Sequence, residues 1–159
     1  MNLGLFLNSL SNPVSQVEEY LYLGNRDGAR NESLLKEHGI RAVVQIQSAE
    51  VAPFFPACFD YHRITLPDLP TSNLLRYLPD TLRFIHDAIQ LQKKVFVHCD
   101  AGISRSTSVV IAYYMAVRQW PYRQALDFVR ARRSCTFPND GFQRQLESLD
   151  TGTMSAWLR

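Results

Sequence analysis

The sequence has few cysteines, a small net charge and no long apolar run. Its only cysteines, Cys58, Cys99 and Cys135, are too few and too widely spaced for a disulfide framework or a zinc cluster. The formal net charge is +2 and the basic residues are spread along the chain, which indicates neither a nucleic-acid nor a membrane-surface partner. No apolar run is long enough to span a bilayer, and Asn2 stands where N-myristoylation requires glycine. These shortages predict a domain without a secretion signal or membrane anchor, in a reducing compartment: the cytoplasm, with the nucleus as a second option.

The composition that remains is typical of one folded domain. Of the 159 residues, 46% are hydrophobic and 20% are charged, which is close to the average for globular proteins. A chain of this length can bury a core without disulfides or a structural metal. We expect residues 17–150 to form the domain, residues 1–16 to be an N-terminal extension, and residues 151–159 to be a frayed C-terminal tail.

Short apolar strands alternate with helical segments along the chain. The predicted strands are 20–23, 40–46, 61–66 and 95–97, and the predicted helices are 26–38, 73–91, 104–117, 121–132 and 140–149. This alternation predicts an α/β fold, a three-layer sandwich with a central, mostly parallel sheet flanked by helices. Ligands of such folds bind beyond the carboxyl ends of the strands.

The segment from His98 to Ser106 joins the last predicted strand to the helix that follows. A loop of this length, curled around a point, directs its backbone N–H groups inward, and the helix N-terminus adds its positive end. The residues of this loop are Asp100, Ala101, Gly102, Ile103, Ser104 and Arg105. Gly102 lets the backbone turn, and Arg105 can donate two parallel hydrogen bonds to two phosphate oxygens. The pattern predicts a phosphate-binding loop.

Cys99 stands at the bottom of this loop, where inward N–H dipoles favour a nucleophilic thiolate. We expect His98 to position the cysteine and favour its thiolate, and Ser106 to donate a hydrogen bond that helps the sulfur leave. A cysteine after an apolar strand is more often an inert core residue. Gly102, Arg105 and Ser106 favour the nucleophile here, because an inert core position would not need an inward arginine.

This Cys-x5-Arg segment resembles the signature of the protein tyrosine phosphatase superfamily, and the chain is similar to a small atypical dual-specificity phosphatase. Segments 20–25, 109–115, 133–135 and 138–142 carry the similarity outside the loop, in the family's order and spacing. The resemblance implies hydrolysis of phosphotyrosine, and often of phosphoserine or phosphothreonine, through a phosphocysteine. It implies a phosphoprotein substrate and neither metal nor other cofactor.

A thiolate that attacks phosphorus needs a proton donor for the leaving oxygen. Asp68 is the predicted general acid, because it lies in a proline-bounded loop after the strand at 61–66, where the resembling family carries its acid. Asp60 precedes that strand and Asp80 lies within a helix, so both are worse placed.

Other residues receive structural interpretations. The basic cluster 130–133 is predicted to be a solvated helix end, and Asn139 resembles the family's structural asparagine near the loop. Cys58 and Cys135 are predicted to pack, although oxidation of Cys99 to a disulfide with a neighbouring thiol stays a weak hypothesis.

Three alternatives remain open. A lipid phosphatase is disfavoured because Asp100 would repel a polyanionic head group, and the loop lacks the lysines of phosphoinositide-specific relatives. An RNA-end phosphatase is disfavoured because basic patches interleaved with aromatics are missing. A silent phosphoprotein-binding module is disfavoured because Cys99, Arg105 and Asp68 are all present. Nothing resembles the recognition loop that deepens tyrosine-specific sites, so a shallow pocket for both classes of phosphoester is expected.

Overall fold

The computed structural model describes residues 2–159, which surround a five-stranded sheet. The strands are β1 Val14–Glu18, β2 Leu21–Gly24, β3 Ile40–Gln47, β4 Asp60–Thr65 and β5 Lys94–His98. Their order across the sheet is β1-β2-β5-β3-β4, and only the β1–β2 pair is antiparallel. The predicted mostly parallel sheet is confirmed. Strand β1, which was not predicted, covers the edge of β2.

Eight helices are present within residues 2–159. They are α1 Leu3–Ser11, α2 Arg26–Ala29, α3 Glu32–Glu37, α4 Leu78–Gln90, α5 Arg105–Arg118, α6 Tyr122–Arg132, α7 Asp140–Glu147 and α8 Thr151–Ala156. The single helix predicted over 26–38 is wrong, because Asn31 interrupts it: its side chain accepts a hydrogen bond from Leu34 N and starts a new helix. Gly39, with φ +75°, follows α3 as the expected terminator.

The hydrophobic core lies on both faces of the sheet. Successive side chains of a strand point to opposite faces, and β5 shows the consequence. Val95 and Val97 join a large cluster with α4 and α5, whereas Phe96 joins a smaller cluster that includes Ala29 and Leu35 of α2 and α3. Helices therefore cover both faces, and the predicted three-layer α/β sandwich is confirmed.

Both ends of the described chain are helical. The Asp150 side chain accepts a hydrogen bond from Thr153 N and begins α8, and Met154 of that helix is fully buried in the large cluster. The expectation of a frayed tail from Thr151 is therefore wrong, because burial of Met154 holds the tail on the core. The division into an extension, a domain and a tail stays a prediction. Within residues 2–159 no helix is long and apolar enough to cross a membrane.

Candidate active site

The loop between β5 and α5 lies at the carboxyl edge of the parallel strands, where ligands of such sheets bind. Gly102 in this loop has φ +67°, a conformation that side chains rarely allow. A Cβ atom at Gly102 would lie 2.6 Å from Gly24 O and 2.6 Å from Arg133 Nη2. Glycine is therefore required here both by the backbone turn and by close packing against β2 and Arg133.

The sulfur of Cys99 lies inside this loop and faces two hydrogen-bonding groups. Gly102 N donates to Cys99 Sγ at 3.2 Å, and Ser106 Oγ lies 3.1 Å from the same sulfur. Cys99 is only 2% exposed, so little water competes for these contacts. The sulfur therefore faces one backbone N–H donor and one hydroxyl group inside the loop. The structure thus brings Cys99, Gly102 and Ser106 together in the arrangement that the sequence predicts.

Arg105 is buried, and both terminal nitrogens of its guanidinium donate hydrogen bonds within the protein. Its Nη1 donates to Ser48 Oγ at 2.9 Å and to Leu66 O at 3.3 Å, and its Nη2 donates to Asp100 Oδ2 at 3.1 Å. A guanidinium has five N–H donors, so these contacts leave Nε–H and one Nη2 hydrogen. Nε is buried and has no partner within residues 2–159. Nε–H is therefore the donor of this guanidinium that has no protein partner, and a phosphate is a suitable acceptor for it.

His98 is fully buried behind the nucleophile. Its Nδ1 lies 3.2 Å from Cys99 O, and its ring stacks on Phe96 with centroids 5.6 Å apart. Burial lowers the pKa of His98 to about 4, so the ring is neutral at physiological pH. A carbonyl can only accept, so Nδ1 carries the proton and donates it. A neutral ring holds the Cys99 backbone in place but adds no positive charge beside the sulfur, which favours the positioning part of the predicted role.

Asp68 is exposed in the loop after β4 and is tied to the phosphate-binding loop through Asn139. The Nδ2 of Asn139 donates to Asp68 Oδ1 at 2.8 Å, and its backbone N donates to Ser104 Oγ at 2.9 Å. Its Oδ1 also accepts from Phe142 N and caps α7. Asn139 therefore connects the predicted acid, Asp68, to the phosphate-binding loop. Its three hydrogen bonds fix its own position between them.

Arg133 is a site residue that the sequence interpretation missed. The prediction that the basic cluster 130–133 is a solvated helix end is wrong for Arg133, because this residue is fully buried. Its Nε donates to Gly102 O at 2.8 Å and its Nη2 to Ala101 O at 3.4 Å, while Nη1 donates to Asn12 O at 2.8 Å and Ser15 Oγ at 3.0 Å. Arg133 thus links the backbone of the phosphate-binding loop to Asn12 and to Ser15 of β1. The sequence offers one signal for a role of Arg133 in the site, because this residue belongs to segment 133–135, which resembles the family.

The remaining cysteines lie in different surroundings. Cys135 is fully buried behind the loop, with its Sγ 3.6 Å from Gly102 O. Cys58 is half-buried and donates to Glu32 Oε1 at 2.9 Å. Both are free thiols, and a redox role for either stays a prediction. Within residues 2–159 no group of three His, Cys, Asp or Glu side chains could hold a metal ion.

Comparison with known families decides what kind of domain carries this site. Residues 21–151 match the family described as "Dual specificity phosphatase, catalytic domain". The chain belongs to the dual-specificity phosphatase family. It is a protein phosphatase domain, and the phosphocysteine mechanism is general to its family.

Relatives of this phosphatase domain differ widely in length. It is 42% identical over 134 residues to Protein phosphatase Slingshot of Drosophila melanogaster, a match that covers 84% of this chain and 13% of that protein. It is 35% identical over 153 residues to Dual specificity protein phosphatase 22-B of Danio rerio, covering 94% and 82%. The crystal structure of the human tyrosine phosphatase-like serine/threonine/tyrosine-interacting protein superposes with a TM-score of 0.81 at 34% identity, covering 92% and 99%. The chain therefore spans a small part of Slingshot and most of the other two.

Proposed function

We propose that this domain hydrolyses phosphotyrosine, and also phosphoserine and phosphothreonine, in proteins, with Cys99 as the nucleophile. The observation that carries the proposal is the position of Cys99 Sγ, which accepts from Gly102 N and lies 3.1 Å from Ser106 Oγ in a loop whose Arg105 has an unpaired Nε–H. A sulfur that lies among the donors of a phosphate-binding loop is arranged to attack phosphorus rather than to pack.

In the first step the Cys99 thiolate forms a bond to phosphorus while the bond to the substrate's ester oxygen breaks. The leaving oxygen takes a proton from the Asp68 carboxyl, so the alcohol or phenol departs neutral. The oxygens of the transferred phosphoryl group carry negative charge throughout the step. Arg105 and the inward N–H groups of the loop stabilise this charge. The product of this step is phosphocysteine.

In the second step a water molecule attacks the phosphocysteine. The Asp68 carboxylate takes the water's proton, a new P–O bond forms, and the S–P bond breaks to release inorganic phosphate and the thiolate. Ser106 Oγ, 3.1 Å from the sulfur, donates a hydrogen bond to the departing thiolate. Both steps balance without metal or redox cofactor.

The proposed substrates are phosphoproteins of the cytoplasm or nucleus rather than nucleic acids or lipids. The phosphatase family implies phosphoprotein substrates. Asp100 places a carboxylate, with its side chain 43% exposed, against Arg105, and this charge disfavours polyanionic head groups. Phenolate leaves more easily than an alkoxide, so phosphotyrosine should react faster than phosphothreonine.

The deciding experiment is hydrolysis of an aryl phosphate by the reduced protein across pH. We expect Cys99→Ser to lower turnover by at least about 10³-fold. We expect Asp68→Asn to lower turnover by about 10²-fold and to remove the limb of the pH–rate profile that reports the protonated acid. Asp80→Asn is the matched control, because Asp80 is an exposed carboxylate in the first turn of α4, and it should retain the wild-type rate. Equal losses for Asp68→Asn and Asp80→Asn would contradict the assignment of the acid.

An inactive wild-type protein would instead support a phosphoprotein-binding module. Phosphopeptide binding, measured calorimetrically, would then be expected to depend on Arg105 and not on Cys99.

A further inference from the structure

A polar cavity of about 130 Å³, not used in the mechanism above, opens at the carboxyl ends of β3 and β4. Gln45 and Gln47 of β3 and Arg63 and Thr65 of β4 line it, and the segment 49–51 closes one side. By volume it holds a few water molecules or the end of one side chain.

The strand that lines the cavity leads to a residue that contacts the Arg105 side chain. Ser48 follows Gln47, and its Oγ accepts the 2.9 Å hydrogen bond from Arg105 Nη1. The cavity and the phosphate-binding loop lie at the same edge of the sheet, since both follow the carboxyl ends of adjacent parallel strands. This shared edge makes the cavity a candidate site for a residue that neighbours the phosphorylated residue of a bound peptide.

Two buried amides in the cavity wall have unused hydrogen-bonding atoms. Gln45 is 1% exposed and Gln47 is 5% exposed. The Nε2 of Gln45 donates to Val51 O at 3.0 Å and Ala52 O at 3.3 Å, which fixes the orientation of its amide. Its Oε1 has no partner within residues 2–159, and neither has Nε2 of Gln47. Two residues of the lining therefore carry one unpaired acceptor and one unpaired donor, and a buried polar group left without a partner is unfavourable.

The pair selects a neutral ligand that both donates and accepts. Gln45 and Gln47 are two residues apart on one strand, so their side chains point to the same face. A carboxylate has no hydrogen to donate and an ammonium has no lone pair to accept, whereas a carboxamide has both. Arg63 and Glu50 bring opposite charges to the lining, so neither sign of ligand charge is favoured.

We propose that this cavity, the β3–β4 subsite, binds the side-chain carboxamide of an asparagine or glutamine close to the phosphorylated residue of the substrate. The inference rests on the proposed function and adds a sequence preference to it. The carboxamide N–H donates to Gln45 Oε1 and the carboxamide oxygen accepts from Gln47 Nε2.

The test uses phosphotyrosine peptides with alanine around the phosphorylated residue. One asparagine is moved through the three positions on either side, and leucine and aspartate replace it in matched peptides. The readout is kcat/KM for each peptide divided by that for an aryl phosphate, which is too small to reach the subsite. We expect asparagine at one position to raise this ratio about tenfold over leucine and aspartate, as two neutral hydrogen bonds would.

Variants of Gln47 assign that preference to the subsite. Gln47→Glu replaces the donor by an acceptor, and Gln47→Met keeps the shape without polar atoms, so both should abolish the asparagine advantage. Gln124→Glu, on the exposed face of α6, adds the same charge elsewhere and should retain it.

A binding measurement separates the two proposals. In Cys99→Ser protein, the side-chain amide signal of Gln47 in ¹⁵N spectra should shift with the asparagine peptide and not with the leucine peptide. Equal ratios for all peptides, or the same amide signal with both, would overturn the subsite. A wild-type protein inactive on the aryl phosphate would overturn the proposed function instead. The Gln47 amide signal alone would then show whether the subsite binds the asparagine peptide.

Discussion

Asn139 donates a 2.8 Å hydrogen bond from Nδ2 to Asp68 Oδ1, and so joins the loop after β4 to the loop before α7. The same residue donates from its backbone to Ser104 Oγ at 2.9 Å. One asparagine therefore sets the position of the proposed general acid relative to the phosphate-binding loop. An exposed loop carboxylate would otherwise sample many orientations, and correct orientation is a large part of proton-transfer efficiency.

Replacing Asn139 by serine should weaken the proton transfer while the fold survives. Serine still accepts from Phe142 N and caps α7, but it lacks the Nδ2 donor to Asp68. We expect about a tenfold loss of kcat for an alkyl phosphate, whose poor leaving group needs the acid, and little loss for an activated aryl phosphate. Steady-state rates on both esters and a melting curve check this. Equal losses on the two esters would show that Asn139 acts on something other than the acid.

Replacing Arg133 by methionine should destabilise the whole domain. The Gly102 carbonyl and the Ser15 hydroxyl would lose hydrogen bonds of 2.8 Å and 3.0 Å inside the protein, and each unpaired buried group costs about 1–3 kcal/mol. We expect the free energy of unfolding in urea to fall by about 3 kcal/mol or more. KM for an aryl phosphate should also rise, because the phosphate-binding loop loses the hydrogen bond that Arg133 donates to Gly102 O.

The matched control is Arg123→Met, on the exposed face of α6. The Arg123 side chain is 78% exposed and forms a 3.5 Å pair with Asp127 one turn away. Exposed pairs of this kind contribute little, so the stability change should stay within about 0.5 kcal/mol. Similar losses for the two variants would contradict a special role for Arg133.

His98 should make stability depend on pH below neutrality. Burial lowers its folded-state pKa from 6.5 to about 4, so the unfolded chain takes up the proton first as the pH falls. The contribution of neutral His98 is complete above about pH 6.5 and is lost as the pH falls toward 4, by at most about 3 kcal/mol.

Chemical unfolding of wild type and His98→Gln between pH 7 and 4 measures this contribution, because glutamine does not titrate. The stability difference between the two proteins should shrink as the pH falls through this window. A difference that stays constant across the window would show that His98 keeps an ordinary pKa in the folded protein.

Met154 should hold α8 on the core. It is fully buried in the large cluster, and truncation of a buried methionine to alanine costs about 2–5 kcal/mol. We expect Met154→Ala to lower the free energy of unfolding by an amount in this range and to increase amide exchange in α8. Ser155→Ala is the control within the same helix, because Ser155 is only half-buried and alanine is the better helix former. Retained protection of α8 in Met154→Ala would show that the helix is held by other contacts.

Most of the active-site loop could be predicted because its residues are close in sequence. A strand, a short loop and a helix start place Cys99, Arg105 and Ser106 together by local geometry alone, and the structure shows Cys99 and Ser106 in contact. Asp68 was identified by its loop and by resemblance. Its contact with Asn139 could not be derived, because the two residues are far apart in the chain and meet only after folding.

The sequence by itself determined the α/β class, because the alternation of β-branched strands and amphipathic helices is written in local periodicity. It also determined the loop chemistry, because the spacing of Cys99 and Arg105 is local. Only the tertiary structure decided which charged and polar residues become buried, since burial depends on which distant segments pack together. Arg133 looks like part of a solvated basic run until its carbonyl partners surround it, and Gln45 and Gln47 look like ordinary strand residues until β4 and segment 49–51 enclose them.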